Sequence, residues 1–222
     1  MKILCTLSGG SDSAYAAFVA KKAWPEAEFH SLFVDYGQPE VGPELYASVT
    51  VHNKLGFPAW SWSDVRIQWL YAFDRGHRDD LNSLYVPHRN LVIASIAAAY
   101  ADKIGAEKVV VGNKSFEKTE GDFLTYDGNL KFYKALQAVV QMIQVREPVL
   151  EIVPALSQLT QKKLTRQDVY FNLWAEGFRY EDTFSCWFGT AMECGACKNC
   201  VEKKSLWEKW LTSHGVKSAS SD

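Results

Sequence analysis

The chain lacks any run approaching the ~20 consecutive apolar residues that a membrane-spanning helix needs, which excludes a helical span. It also lacks an excess of charge of one sign. Lys plus Arg number 24 against 26 Asp plus Glu, a formal net charge of −2, so no global basic field exists to draw in nucleic acid. Two common nucleotide signatures are missing: no Gly-Lys-Ser/Thr completes a Walker A loop, and no Gly-x-Gly-x-x-Gly follows a strand. Met1-Lys2-Ile3-Leu4-Cys5 has neither the apolar stretch nor the cleavage site of a secretory signal, and the expected location is the cytoplasm. Cysteine is sparse, five in 222 residues, yet four of the five fall within one short window, Cys186 to Cys200. In a reducing compartment such clustering favours metal over disulfides.

What is present is enough apolar sequence, 47%, to bury a core in one domain. Lys2 to Leu7 is a short apolar run that stops at Ser8-Gly9-Gly10-Ser11-Asp12-Ser13 and leads into an alanine-rich helical stretch. The pattern repeats. Phe29 to Val34 reads as a strand before a helix over Glu44 to Leu55, and Phe57 to Trp62 as a third strand. Asn90 to Ile104 reads as a helix that Gly105 ends, Glu107 to Gly112 as a buried strand, and 130–145 and 161–175 as further helices. Residues 65–83 show no clear period and read as an irregular insertion. Strands alternating with helices predict an α/β fold, a parallel sheet with helices on both faces and a ligand at the carboxyl ends of the strands. The expected division is an α/β domain over 1–182, a small metal-binding C-terminal appendage over 183–211 that stands outside the main core, and a disordered tail over 212–222.

A glycine turn between strand and helix aims successive backbone N–H groups and a helix N-terminus at one point, an arrangement suited to phosphate. Gly9 and Gly10 permit close approach, and Ser8, Ser11 and Ser13 add hydroxyls; a capped polar turn uses the same residues. Further along, Cys186, Cys194, Cys197 and Cys200 supply the four thiolates of a closed tetrahedral zinc site, with Gly195 at the turn. Iron–sulfur ligation employs similar spacing. A four-sulfur zinc site leaves no open position, so its expected role is structural, while Cys5 on the first strand reads as a buried apolar residue.

The Ser8–Ser13 segment resembles the pyrophosphate-binding loop of the N-type ATP pyrophosphatases, which cleave ATP between its α and β phosphates. With Asp35-Tyr36-Gly37-Gln38, Val86-Pro87-His88-Arg89-Asn90 and the four-cysteine pattern, the resemblance extends over residues 3–206 to the 7-cyano-7-deazaguanine synthases. It implies an adenine-nucleotide α-hydrolase-like fold and conversion of 7-carboxy-7-deazaguanine and ammonia to the nitrile, with ATP and magnesium. By that resemblance Ser8, Gly9, Gly10, Ser11, Asp12 and Ser13 hold the departing pyrophosphate, and Ser11, Asp12, Ser13 and Arg89 act in catalysis. Asp35, Gln38, Arg89 and Asn90 would complete the ATP site, although Arg89 and Asn90 also suit a plain helix start, and Asp35 a plain turn. Asp122, Tyr126 and Asp127 are candidates for the purine-like substrate, and Asp122 and Asp127 also for magnesium, while the two aspartates equally suit a solvated loop.

The match has departures. Pro39-Glu40 stands where the family has Arg-His, Tyr126-Asp127-Gly128-Asn129-Leu130 where it has Tyr-Pro-Asp-Cys-Arg, and Glu202-Lys203-Lys204 where it has an Arg beyond the last cysteine. A diverged relative that activates another acid, or attaches a deazapurine to a protein acceptor, is therefore a second expectation. A third is a zinc-stapled nucleic-acid module using Lys198, Lys203, Lys204 and Lys209 with Trp207 and Trp210. Glu202 and Glu208 balance those lysines, so a solvated helix accounts for them better and no direct nucleic-acid binding is expected. The expected assembly is a homodimer, with Trp60, Trp62 and Trp69 in the core or at a subunit contact.

Overall fold

The computed structural model describes residues 1–65, 86, 88–113, 129–160, 163–189 and 191–215. Asp122, Tyr126 and Asp127, Trp69 and almost all of the 65–83 insertion, and the tail beyond Gly215 lie outside the described residues.

Among the described residues five strands form one parallel sheet: β1 (Lys2–Thr6), β2 (Glu28–Asp35), β3 (Ala59–Asp64), β4 (Lys108–Val111) and β5 (Glu151–Pro154), in the order β3-β2-β1-β4-β5. Side chains of β1 alternate between two cores because the strand is covered on both faces. Ile3, Cys5 and Leu7 join Phe29, Val110 and Val153 on one face, beneath α1 (Ser11–Ala23), α2 (Val41–Leu55), α5 (Ala155–Gln158) and α6 (Arg166–Ala175). Leu4 joins Leu32, Val109 and Ile152 on the other, beneath α3 (Arg89–Ile104) and α4 (Leu130–Ile143). The α/β architecture with helices on both faces is thus present, and no helix among the described residues is long and apolar enough to cross a membrane.

Several boundaries differ from expectation for identifiable reasons. Strand β5 has no counterpart in the sequence reading, since its four residues give too short a pattern to separate from the loop before it. Helix α6 begins only at Arg166, because Thr165 caps it: the Thr165 side chain accepts from Asp168 N while the Asp168 carboxylate accepts from Thr165 N. Helix α2 starts at Val41, earlier than Glu44, because Gly42 and Pro43 fall in its first turn, where a proline loses no helical hydrogen bond.

The C-terminal helix α7 (Lys198–Ser213) corrects two expectations about the last segment. Leu206 is buried in the same core as Tyr170 and Trp174, and Trp207 and Trp210 pack against that core, so the helix is continuous with the main domain. Its lysines are not uniformly solvated: Lys203 is only 1% exposed. The tail expected over 212–222 also starts too early, since α7 continues through Thr212 and Ser213.

Among the described residues strand β5 lies at one edge of the sheet, and α4 and its C-cap Gln144 supply side chains that occupy backbone groups of β5 and of Leu150 before it. Gln137 Nε2 donates to Leu150 O (2.8 Å), Ile152 N donates to Gln137 Oε1 (2.7 Å), and Leu150 N donates to Gln144 Oε1 (2.7 Å). The edge is thereby closed to another strand. Gln137→Ala strands two backbone groups and is expected to lower unfolding free energy by about 1–3 kcal/mol. A urea melt checks it, with the exposed Gln141→Ala as a near-neutral comparison.

Candidate functional site

The sheet order reverses between β1 and β4, and in an open α/β sheet the crevice beyond such a switch point is where ligands bind. Here it is a cavity of about 310 Å³, bordered by Ser8, Asp12, Ser13, Gln38, Arg89 and Asn90 among the expected residues. Sequence reasoning did not assign site roles to Tyr36, Glu44, Gly112 or Asn113, which also border it. A glycine and an asparagine directly after the run Val109 to Val111 were the available signal for the last two.

Helix α1 is capped by Gly10, which brings no side-chain oxygen to the first turn. The N–H groups of Ser11, Asp12 and Ser13 have no acceptor within the helix, and the helix dipole adds partial positive charge at this end. An anion is the natural partner. The loop itself is braced by its own hydroxyls: Ser8 N donates to Ser13 Oγ (3.2 Å), and Ser13 Oγ donates to Gly10 O (2.9 Å). Two glycines permit the surrounding approach. Gly9 has φ +81°, and a Cβ there would lie 2.3 Å from Glu44 O; a Cβ on Gly112 would lie 2.5 Å from Ser13 Cα.

The remaining expected residues divide by what their side chains do. Gly9, Gly10, Ser11 and Asp35 do not border the cavity. Asp35 is buried and its Oδ1 accepts from Gly37 N (2.9 Å), shaping the turn after β2. Gln38 borders the cavity, but its Oε1 accepts from Tyr36 N (3.0 Å) and its Nε2 donates to Glu44 Oε2 (2.9 Å) and Val34 O (3.4 Å). Both residues are therefore arranged to hold the β2–α2 turn. Arg89 opens α3 after His88, whose φ of 55° turns the chain sharply into the helix. Burial raises the Tyr36 phenol above its ordinary range, and the hydrogen-bonded Arg89 guanidinium opposes that rise. A neutral Tyr36 hydroxyl thus steadies Arg89 beside the cavity.

Cys186, Cys197 and Cys200 pack with Ala47 and Phe184 in a small separate cluster, and the exposed Cys194 brings the fourth sulfur to it. Their sulfurs all lie within 4.8 Å of one another, with Cys197 and Cys200 at 3.4 Å and Cys194 and Cys200 at 4.0 Å. A tetrahedral zinc at ~2.3 Å from each sulfur sets the sulfurs about 3.8 Å apart, so the donor set fits the ion. Backbone N–H groups are already aimed at the sulfurs: Phe188, Gly189 and Cys194 donate to Cys186, and Cys197 donates to Cys194. Such donation from Ala196 and Cys197 pulls the Cys194 thiol down to about 6. Burial pushes Cys186 and Cys200 up, so a bound cation is what would hold all four as thiolates. Cys5 stands apart, buried in the sheet, its thiol raised by burial as expected of an apolar core residue.

The approach of α1 to β4 yields a direct prediction. Gly112→Ala forces Cβ into the Ser13 backbone and is expected to weaken inorganic pyrophosphate binding at least tenfold, measured by titration calorimetry. An unchanged affinity would mean that the α1 N-terminus is not the anion site.

Comparison with known proteins agrees with this arrangement. The family described as "Queuosine biosynthesis protein QueC" matches residues 2–211. A 7-cyano-7-deazaguanine synthase of Methanobrevibacter smithii is 28% identical over 229 residues, covering 93% of each chain. That of Oceanobacillus iheyensis is 29% identical over 210 residues, covering 90% of each. Among solved structures, a 4-thiouridine synthetase in complex with RNA and bound ATP shares the fold at a TM-score of 0.52 and 16% identity. It is matched over 96% of this chain and 53% of its own, so this chain spans about half of that protein. With a family match extending from β1 nearly to the end of α7, over the phosphate-type loop and the cysteine centre alike, the chain belongs to the QueC family of queuosine biosynthesis proteins.

Proposed function

We propose that the protein is an ATP-dependent synthase that converts 7-carboxy-7-deazaguanine and ammonia to 7-cyano-7-deazaguanine. The observation that carries the reading is the N-terminus of α1, with no side-chain cap at Gly10, beside a cavity that Asp12, Ser13 and Arg89 border at the switch point of the sheet. Family membership supplies the substrate class.

A carboxylate resists attack by ammonia because its departing oxygen would leave as oxide. Attack of the substrate carboxylate on the α-phosphorus of ATP forms an acyl adenylate and expels pyrophosphate. The helix-start amides of Asp12 and Ser13 and the Arg89 guanidinium, which border the cavity, suit that charge, being fixed before the reaction begins. Ammonia then displaces AMP to give the amide. A second ATP adenylates the amide oxygen, and loss of AMP and a proton from nitrogen leaves the nitrile. Water must be kept from the adenylate, and the apolar side chains of Leu32, Phe33 and Ile93 on the cavity wall serve that end. Asp12 is the cavity carboxylate on the loop and the residue assigned to hold magnesium, whose chemistry would be to neutralise phosphate charge. Asn90, beside Arg89, is assigned to orient the nucleotide, and Asp122, Tyr126 and Asp127 stay candidates for the deazapurine. Zinc is assigned to the four-cysteine centre, in a structural role.

Mass spectrometry of protein incubated with ATP, magnesium, ammonia and 7-carboxy-7-deazaguanine tests the reading. The expected result is AMP, pyrophosphate and the 7-cyano product, falling at least 100-fold in Asp12→Ala and Arg89→Ala. AMP without nitrile would keep the ATP site and overturn the acceptor, pointing to another acid or a protein partner. If neither AMP nor the nitrile forms, the reading is overturned.

A further inference from the structure

The segment Thr183–Cys186 lies between the cysteine centre and the glycine loop, and touches both. On one side Phe184 N donates to Gly9 O (2.9 Å), a backbone bond directly onto the loop. A second link runs through Tyr170, whose hydroxyl is 2.7 Å from Ser185 Oγ and whose phenol, raised by burial, is held back by the Ser185 and Ser11 side chains beside it. On the other side Cys186 is itself a member of the four-sulfur cluster.

A buried ion pair fixes this strap to the rest of the centre. Lys203, one turn past Cys200 on α7, donates to Thr183 O (2.6 Å) and to Glu193 Oε1 (2.8 Å). Glu193, adjacent to Cys194, also accepts from Ser185 N (3.1 Å) and from the Tyr180 hydroxyl (3.0 Å). Asn199, adjacent to Cys200, donates to Ser185 O (3.0 Å). The three chain segments that carry the cysteines are thus tied to one another by their neighbours, at the charge that α7 buries most deeply.

We propose that this strap couples the cysteine centre to the phosphate-type loop, with Lys203 and Glu193 as positioning residues, so that metal occupancy sets the order of Ser8–Ser13. Its consequence for nucleotide affinity rests on the ATP reading above; the coupling itself does not. Removing the metal frees Cys186 from its partners, and the strap then holds Gly9 and Ser11 less firmly. Lys203→Met removes the charge that joins Thr183 to Glu193 and acts on the same strap from α7.

Amide hydrogen exchange separates the possibilities. It is measured on the metal-loaded protein, on protein stripped by a chelator, and on Lys203→Met, Lys203→Arg and Tyr170→Phe, with metal content determined for each. Stripping and Lys203→Met are expected to speed exchange about tenfold or more both in 183–200 and in 8–13, and Lys203→Arg to restore much of the protection. Tyr170→Phe keeps its metal and speeds exchange in 8–13 by a smaller factor. Faster exchange confined to 183–200, with 8–13 unchanged, would overturn the coupling; if Lys203→Met does not fold, unchanged exchange at 8–13 in both Tyr170→Phe and the stripped protein does so. Magnesium-ATP titration of the loaded protein runs alongside, and absence of binding there counts against the ATP reading while leaving the exchange result to decide the coupling.

Discussion

The site depends on how closely one helix end can approach two loops. The first turn of α1 lies against the end of β4 at Gly112 on one side, and Gly9 lies against the Glu44 carbonyl at the start of α2 on the other. Any side chain at either glycine would collide with backbone, which cannot move aside as a flexible side chain can. Because the strand order reverses between β1 and β4, this packed helix end sits at the opening where no crossover covers the sheet. Helix-start amides, helix dipole and crevice therefore coincide, and the chemistry of an anion follows from the packing.

Around that point the residues separate into those that face a ligand and those that hold others in place. Asp35 and Gln38 hydrogen-bond within the β2–α2 turn, and Gln38 also borders the cavity. Tyr36 steadies Arg89 from the same turn. A rigid support of this kind matters for reactions that stabilise developing charge, because donors already in place need not reorganise as charge forms. The cysteine segment extends the same logic across the molecule, since its strap ends on the loop's own backbone at Gly9.

Much of this was legible in the sequence, and the exceptions have physical causes. The turn Ser8–Ser13, the helix start at Arg89 and the four-cysteine cluster are local patterns, readable because a few consecutive residues determine them. Strand β5 was not readable: Glu151–Pro154 is too short to show a period, and its hydrogen-bond partners Gln137 and Gln144 belong to another element. Lys203 misled for a related reason. Between Glu202 and Lys204 it looks like one charge on a solvated face, and only the fold brings Thr183 O and Glu193 to meet it. Gln38 borders the cavity as expected, while its additional bonds to Tyr36 N and Val34 O, which hold the turn, come from the fold. Gly112 drew no functional reading because its importance lies in Ser13, nearly a hundred residues earlier.

The central claim is reversible adenylation of a carboxylate at the α1 N-terminus, and isotope exchange between labelled pyrophosphate and ATP tests it most directly. With 7-carboxy-7-deazaguanine and magnesium present and ammonia withheld, the account predicts that label enters ATP. Omitting the acid abolishes the exchange, because pyrophosphate can return only to an adenylate. Acid-dependent release of ADP and phosphate in place of exchange would contradict the account, for the bond broken would then be β–γ and the loop would be holding a different leaving group.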